Sequence, residues 1–291
     1  MPWILSEGKF NNHTYLFDSF QCDAKYSMGY YILQGTKKRA LIDTAGPIEA
    51  ERFAKKIKNL DLIPDILILT HSHWDHAGGT TVFQKKFPNI EVYAAKPAIE
   101  SLKNNSKYNE AYSEVVSDLD PVENIIPVKQ GDAIDLGGIE LLIYETPGHT
   151  NCSISILEQK NKILFTGDAL GYTWEHFVIL PPIMPPEFSQ EKLLSTFEKV
   201  QKIDCSVIAC AHYGLLTEDL AKFFPKYAEL CYIFWRDFFI SSFEKNFTTE
   251  KVVDNFIDKL HELNIYDPGG KITFKMVGGW MIKGLKSAGL I

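Results

Sequence analysis

A chain of 291 residues, 45% hydrophobic and 13% aromatic, can bury a substantial core as one large domain or one domain with an appendage. Thirty basic against 37 acidic side chains give a formal net charge of −7, which argues against a nucleic-acid or anionic-membrane surface. No apolar run approaches the roughly 20 residues of a membrane-spanning helix, the N-terminus lacks the basic start and apolar core of a signal peptide, and five irregularly spaced cysteines fit reduced thiols in a cytoplasm.

Short β-type segments come first, at 13–17, 29–34 and 39–43, the last two joined by the turn Gly35-Thr36-Lys37-Lys38. A helix over 48–60 follows, with Phe53, Ile57 and Leu60 at helical spacing. Ile66-Leu67-Ile68-Leu69, preceded by Pro64, reads as a buried strand, followed by a helix over 80–87 and a strand over 91–94. Between 96 and 124 the pattern predicts two weak helices and solvated surface. Strands at 125–128 and 139–144 are expected around the turn Asp135-Leu136-Gly137-Gly138, and a hairpin over 152–157 and 162–165. Four prolines make 174–188 a rigid extended loop, Ser189 is placed to cap a helix through Lys202, and 207–211 is a buried strand. From Thr217 the character changes to aromatic-rich helices at 220–245, 249–263 and 272–285, with core packing the ordinary explanation for the aromatics. The expected division is a main domain over 1–216 and a helical extension over 217–291.

The segment with chemistry in it is Thr70-His71-Ser72-His73-Trp74-Asp75-His76-Ala77-Gly78-Gly79. A lone histidine is usually a surface or satisfied core residue. Three histidines and an aspartate within six residues would instead be costly to desolvate together without a metal, and imidazole and carboxylate are ligands for zinc, iron or manganese. The ligands are expected in the loop at the strand's end and in the first turn of the helix after Gly79. Three further strand ends finish in polar clusters: Asp43, His149 with Asp168 after it, and His212. Ligands gathered at one sheet edge by strand ends are a common way for α/β folds to build a site.

With Leu41-Ile42-Asp43-Thr44, the His71–Gly79 segment, Thr146-Pro147-Gly148-His149-Thr150, Phe165-Thr166-Gly167-Asp168 and Ala211-His212 in this order, the chain resembles the metallo-β-lactamase-fold hydrolase superfamily, in particular its glyoxalase-II-like branch, over roughly residues 13–216. The resemblance implies an α/β fold, a four-layer αβ/βα sandwich, here with an α-helical C-terminal extension. It also implies a dinuclear site for two divalent metal ions, zinc before iron or manganese. His71, His73 and His149 would hold one metal, Asp75, His76 and His212 the other, and Asp168 would bridge them. The activity implied is hydrolysis of an ester, thioester or lactone by a metal-bridging hydroxide, with Asp75 and Tyr172 as catalytic residues and Asp43 behind the ligands. The substrate expected is a small acyl compound; no nucleic acid or membrane partner is expected, and a homodimer is compatible with the sequence.

A basic cluster like that of the glyoxalase-II glutathione site is not matched in the C-terminal part. The tail is similar to that of the quinolone-signal thioesterase and suggests, with the prolines at 181–186, a lid over an apolar acyl pocket. Three alternatives stand beside hydrolysis of an acyl bond: a persulfide dioxygenase with one iron, a regulatory binding protein with a residual metal site, and a phosphodiesterase. Flavodiiron reductases usually carry glutamate where His73 stands and add a flavin domain.

Overall fold

The computed structural model describes residues 3–104, 110–116, 119–173, 179–267 and 270–291. After β1 (Trp3–Ile4), seven strands form the first sheet in chain order: β2 (Gly8–Lys9), β3 (Thr14–Asp18), β4 (Gly29–Gln34), β5 (Arg39–Ile42), β6 (Ile66–Leu69), β7 (Glu91–Ala95) and β8 (Ile125–Val128). The first four pair antiparallel and the last four parallel. Crossovers between the parallel strands carry α1 (Pro47–Asn59), α2 (Trp74–Ala77), α3 (Thr80–Lys86) and α4 (Ala98–Lys103). A parallel strand covered on both faces needs a continuous apolar run, and all four residues of β6 are buried.

The second sheet contains β9 (Ala133–Asp135), β10 (Glu140–Glu145), β11 (Ile154–Glu158), β12 (Ile163–Phe165), β15 (Val207–Ala209), β16 (Leu215–Thr217) and β1 at its far edge. A separate pair, β13 (Tyr172–Thr173) with β14 (Ile179–Leu180), lies between β12 and β15 in the chain. Side chains alternate across this sheet with the period of two that a strand imposes. Ile163, Phe165, Val207, Ala209 and Leu215 enter the core shared with the first sheet, while Leu164, Ile208 and Leu216 enter a second cluster on the opposite face. Four helices share that second cluster: α5 (Gln190–Val200), α6 (Glu218–Glu244), α7 (Thr249–Glu262) and α8 (Phe274–Ser287). The result is helix, sheet, sheet, helix, the four-layer arrangement expected. Residues 217–291 contribute Trp235, Phe239, Phe256 and Met281 to the same cluster as Leu164 and Ile208. Among the described residues no helix is long and apolar enough to cross a membrane.

Several expectations need correcting. Asp75 and His76 lie on α2, before Gly79 and not after it, because His73 is extended and its carbonyl accepts from the N–H groups of His76 and Ala77. The strand at 125–128 belongs to the edge of the first sheet; the hairpin partner of β10 is β9, whose three residues hold too little apolar signal to read. Ser189 stands at the N-cap of α5, but its side chain makes no capping bond there, and its own N–H donates to the Gly148 carbonyl. The stretch read as solvated surface supplies Tyr112, which is buried. Part of the second weak helix of that stretch, and 174–178 of the proline loop, lie outside the described residues.

Candidate metal centre

The site residues come from four strand ends. Asp43 follows β5, His71 to His76 follow β6, Asp168 follows β12, and His212 follows β15. His149 sits in the turn between β10 and β11. Glycine is required at Gly167, where φ is +50° and a Cβ would lie 2.8 Å from Cβ of Thr70. Gly148 has φ +138°, and a Cβ there would press within 2.5 Å of the Leu193 backbone. Both glycines immediately precede a site residue, so close backbone approach places His149 and Asp168.

Ligand-type atoms form overlapping groups, each with its atoms within 4.8 Å of one another: His71, His73 and His149; Asp75, His76 and His212; and His71, His76 and Asp168. His149 Nε2 is 2.8 Å from His73 Nδ1 and 3.2 Å from His71 Nε2. Asp168 divides its two oxygens. Oδ1 is 3.2 Å from His76 Nε2 and 3.4 Å from His212 Nε2, while Oδ2 is 3.3 Å from His149 Nε2 and 3.9 Å from His71 Nε2. His212 and Asp75 are slightly open to solvent; the other ligand-type side chains are buried.

The far side of each ring says which nitrogen faces inward. A carbonyl oxygen only accepts, so Nδ1 of His149 carries a proton to the Pro182 carbonyl at 3.1 Å, and Nδ1 of His212 carries one to the Ser27 carbonyl at 2.7 Å. Nδ1 of His76 donates to Asp43 Oδ2 at 2.8 Å. The Thr70 hydroxyl donates to the same Asp43 oxygen at 2.8 Å, so its own oxygen is left to accept from His71 Nδ1 at 3.1 Å. Asp43 Oδ1 accepts the Thr70 N–H at 2.7 Å. Each of these four rings therefore turns Nε2 toward the cluster, the orientation that partners behind a metal-binding histidine produce.

The cluster fits divalent cations. Among the described residues, His76 Nε2, His212 Nε2 and both oxygens of Asp168 are buried without a hydrogen bond of acceptable geometry. A set of buried groups left so close and so unsatisfied is costly unless a cation lies among them. Burial, and then the neighbouring His76 and His149 rings, hold His71 and His73 well below the ordinary histidine range; burial likewise lowers His149. These three are neutral, with lone pairs to offer. At His76 and His212 burial opposes the charge, but the carboxylates, Asp168 foremost, outweigh it and both pKa values rise. For Asp168, burial acts upward, yet His76 and His212 prevail and hold it well below the usual carboxylate range. Cation binding would displace those two imidazolium protons.

Tyr172 stacks edge-on against His212, with ring centroids 4.4 Å apart. Burial and the nearby Asp168 charge hold its phenol well above its ordinary value, so it keeps its proton. Beside the cluster opens a cleft of about 90 Å³ lined by His73, Asp75, Tyr172 and His212 on one side and by residues of α8 on another. The sequence did not single out the carbonyls of Ser27 and Pro182, nor Tyr112 or Trp280 in the cleft wall; a carbonyl partner carries no side-chain signature. Asp43→Ala should weaken metal binding by about 10–100-fold, measured by competition with a chromophoric chelator. Unchanged affinity would mean Asp43 only packs.

A β-β core between helical layers, with histidines and aspartates meeting at one edge, defines an α/β protein whose clustered residues could hold metal. The chain belongs to the metallo-beta-lactamase superfamily, whose family model matches residues 30–212. Hydroxyacylglutathione hydrolase GloC of Haemophilus influenzae is 32% identical over 142 residues, covering 46% of this chain and 62% of that protein. The anaerobic nitric oxide reductase flavorubredoxin of Aeromonas salmonicida is 26% identical over 268 residues, covering 82% of this chain and 47% of that one. The chain thus spans about half to three-fifths of the length of these relatives. Among solved structures, the metallo-beta-lactamase family protein TTHA1429 of Thermus thermophilus matches with a TM-score of 0.66 at 17% identity, over 90% of this chain and 89% of that one. ST1585 of Sulfolobus tokodaii matches with a TM-score of 0.58 at 20% identity, over 75% and 84%. At these identities the structural likeness concerns the fold.

Proposed function

We propose that the chain is a metal-dependent hydrolase that cleaves an ester, thioester or lactone bond of a small acyl substrate, using two divalent cations held side by side. The observation that carries this reading is the division of Asp168, with Oδ1 turned to His76 and His212 and Oδ2 to His149 and His71. His71, His73 and His149 would hold one cation, Asp75, His76 and His212 the other, and Asp168 would touch both. A shared anion damps the repulsion between two such charges. When bound, the cations supply Lewis acidity and acidify water toward neutral pH, and zinc, iron and manganese all suit this donor set.

The chain's own residues supply the rest. Asp43 and the carbonyls of Ser27 and Pro182 keep the rings from turning. Asp75, which is only partly buried and borders the cleft, is placed to orient a nucleophile and relay its proton. Tyr172 offers a protonated phenol to the oxygen on which negative charge develops. The nitric oxide reductase among the relatives marks a redox alternative. His73 supports hydrolysis over it, because flavodiiron reductases usually carry a carboxylate at that place.

The test combines anomalous scattering at the metal edges with a panel of thioesters, lactones and phosphodiesters and an oxygen electrode. Acyl turnover lost to a chelator and restored by metal is expected. A single iron with oxygen uptake, or turnover of phosphodiesters alone, would overturn the proposal.

A further inference from the structure

We infer that the cleft beside the ligand cluster is built for an uncharged, apolar acyl group, with Trp280 as the residue that selects for its size; this rests on the hydrolase reading above. Its wall is made by Trp74, Leu180, Met184, Phe274, Val277 and Trp280. Among the described residues no lysine or arginine lines it, and its one carboxylate is Asp75, a member of the ligand set. An acyl group with a carboxylate of its own would enter without a counter-charge, and an unpaired charge in an apolar wall is strongly disfavoured. An alkyl or aryl group would instead replace water against apolar surface.

The wall is preformed. Tyr112 links it to the ligands: its ring lies 5.4 Å from that of His73 and 5.1 Å from that of Trp280, and its hydroxyl donates to the Pro185 carbonyl at 2.7 Å. The approach to α8 is fastened on both sides, by Lys271 N–H to the Cys22 carbonyl at 3.0 Å and by Phe274 N–H to Asp267 Oδ2 at 2.9 Å. Farther along, Gly284 packs against the Ile183 backbone, which a Cβ would meet at 3.0 Å. Among the described residues, none of the aromatic helix α6 lines the cleft. The extension's contribution to the cleft comes from α8 and the residues just before it.

Three thioesters on one neutral thiol, N-acetylcysteamine, separate the cases: acetyl, octanoyl and succinyl. Each buried methylene adds about fourfold, so an octanoyl chain with half its length seated should exceed acetyl by about 50-fold in kcat/KM, with succinyl at or below acetyl. Trp280→Leu should cut the octanoyl-to-acetyl ratio at least tenfold, chiefly through KM. Val277→Phe, which adds bulk where Trp280→Leu removes it, should do the same if the first variant folds poorly. Calorimetry with uncleaved amides gives a readout independent of turnover: octanamide should bind the protein more tightly than acetamide or the anion succinamate, and less tightly in both variants. Octanamide binding without turnover of any thioester, or of the octanoyl ester and lactone counterparts, would support the cleft assignment and remove the hydrolase reading. Succinyl turnover or succinamate binding matching that of the octanoyl compounds would overturn the cleft assignment and leave hydrolysis standing.

Discussion

Asp168→Ala is expected to strip the protein of most of its metal and to abolish ester hydrolysis, a loss of at least about 10³-fold in kcat/KM, corresponding to about 4 kcal/mol of transition-state stabilisation. The size follows from where the carboxylate sits. Its oxygens lie 3.2–3.4 Å from Nε2 of His76, His212 and His149, so one truncation withdraws a negative donor from both halves of the cluster. It also leaves His76 and His212 without the carboxylate charge that outweighs their burial. Asp168→Asn separates charge from shape: the amide fills the same volume next to Gly167, so folding should persist while metal content falls. Metal analysis, circular dichroism and turnover on one preparation decide the matter. Undiminished turnover in a folded, metal-free variant would rule out the mechanism.

What could be read in advance follows the physical range of each signal. β6 and the ligand segment after it were legible because burial on both faces demands a continuous apolar run, and because histidine is scarce enough for clustering to carry information. Asp43, Asp168 and His212 were legible as polar residues just past apolar strands, and His149 as one in the turn after β10, the places where α/β folds commonly gather a site. The placement of Asp75 and His76 on α2 was not, because it depends on His73 adopting an extended backbone and on its carbonyl closing a single turn. β9 escaped because three residues with one buried side chain give no periodicity. Tyr112 escaped for a different reason: its polar neighbours in sequence suggest solvent, while its burial comes from residues distant in sequence, His73, Pro185 and Trp280, the last 168 positions later. Long-range pairing of that kind leaves no local trace. The same holds for the Ser27 and Pro182 carbonyls, which hold their histidines through backbone that any residue would provide.

Tyr172→Phe should lower kcat by about 10²-fold with metal content unchanged, the effect of deleting one preorganised donor to a developing oxyanion. Two roles compete for this residue, and the substitution divides them. If Tyr172 only packs, phenylalanine keeps its 4.4 Å contact with the His212 ring and the strand pairing of Tyr172 with Leu180, and kcat should stay near that of the parent protein. If the hydroxyl is the working part, the loss falls on kcat and not on KM, because the charge it meets exists in the transition state and not in the bound substrate. The geometry favours the second role. The phenol is buried, lines the cleft, and lies near enough to Asp168 for that carboxylate to help hold its proton in place. A donor fixed before the substrate arrives needs no reorganisation as charge develops, and exclusion of water strengthens it. Steady-state kinetics on the best thioester or lactone of the panel, with metal content measured on the same sample, distinguishes the two roles; a change of less than twofold in kcat would assign Tyr172 to packing alone.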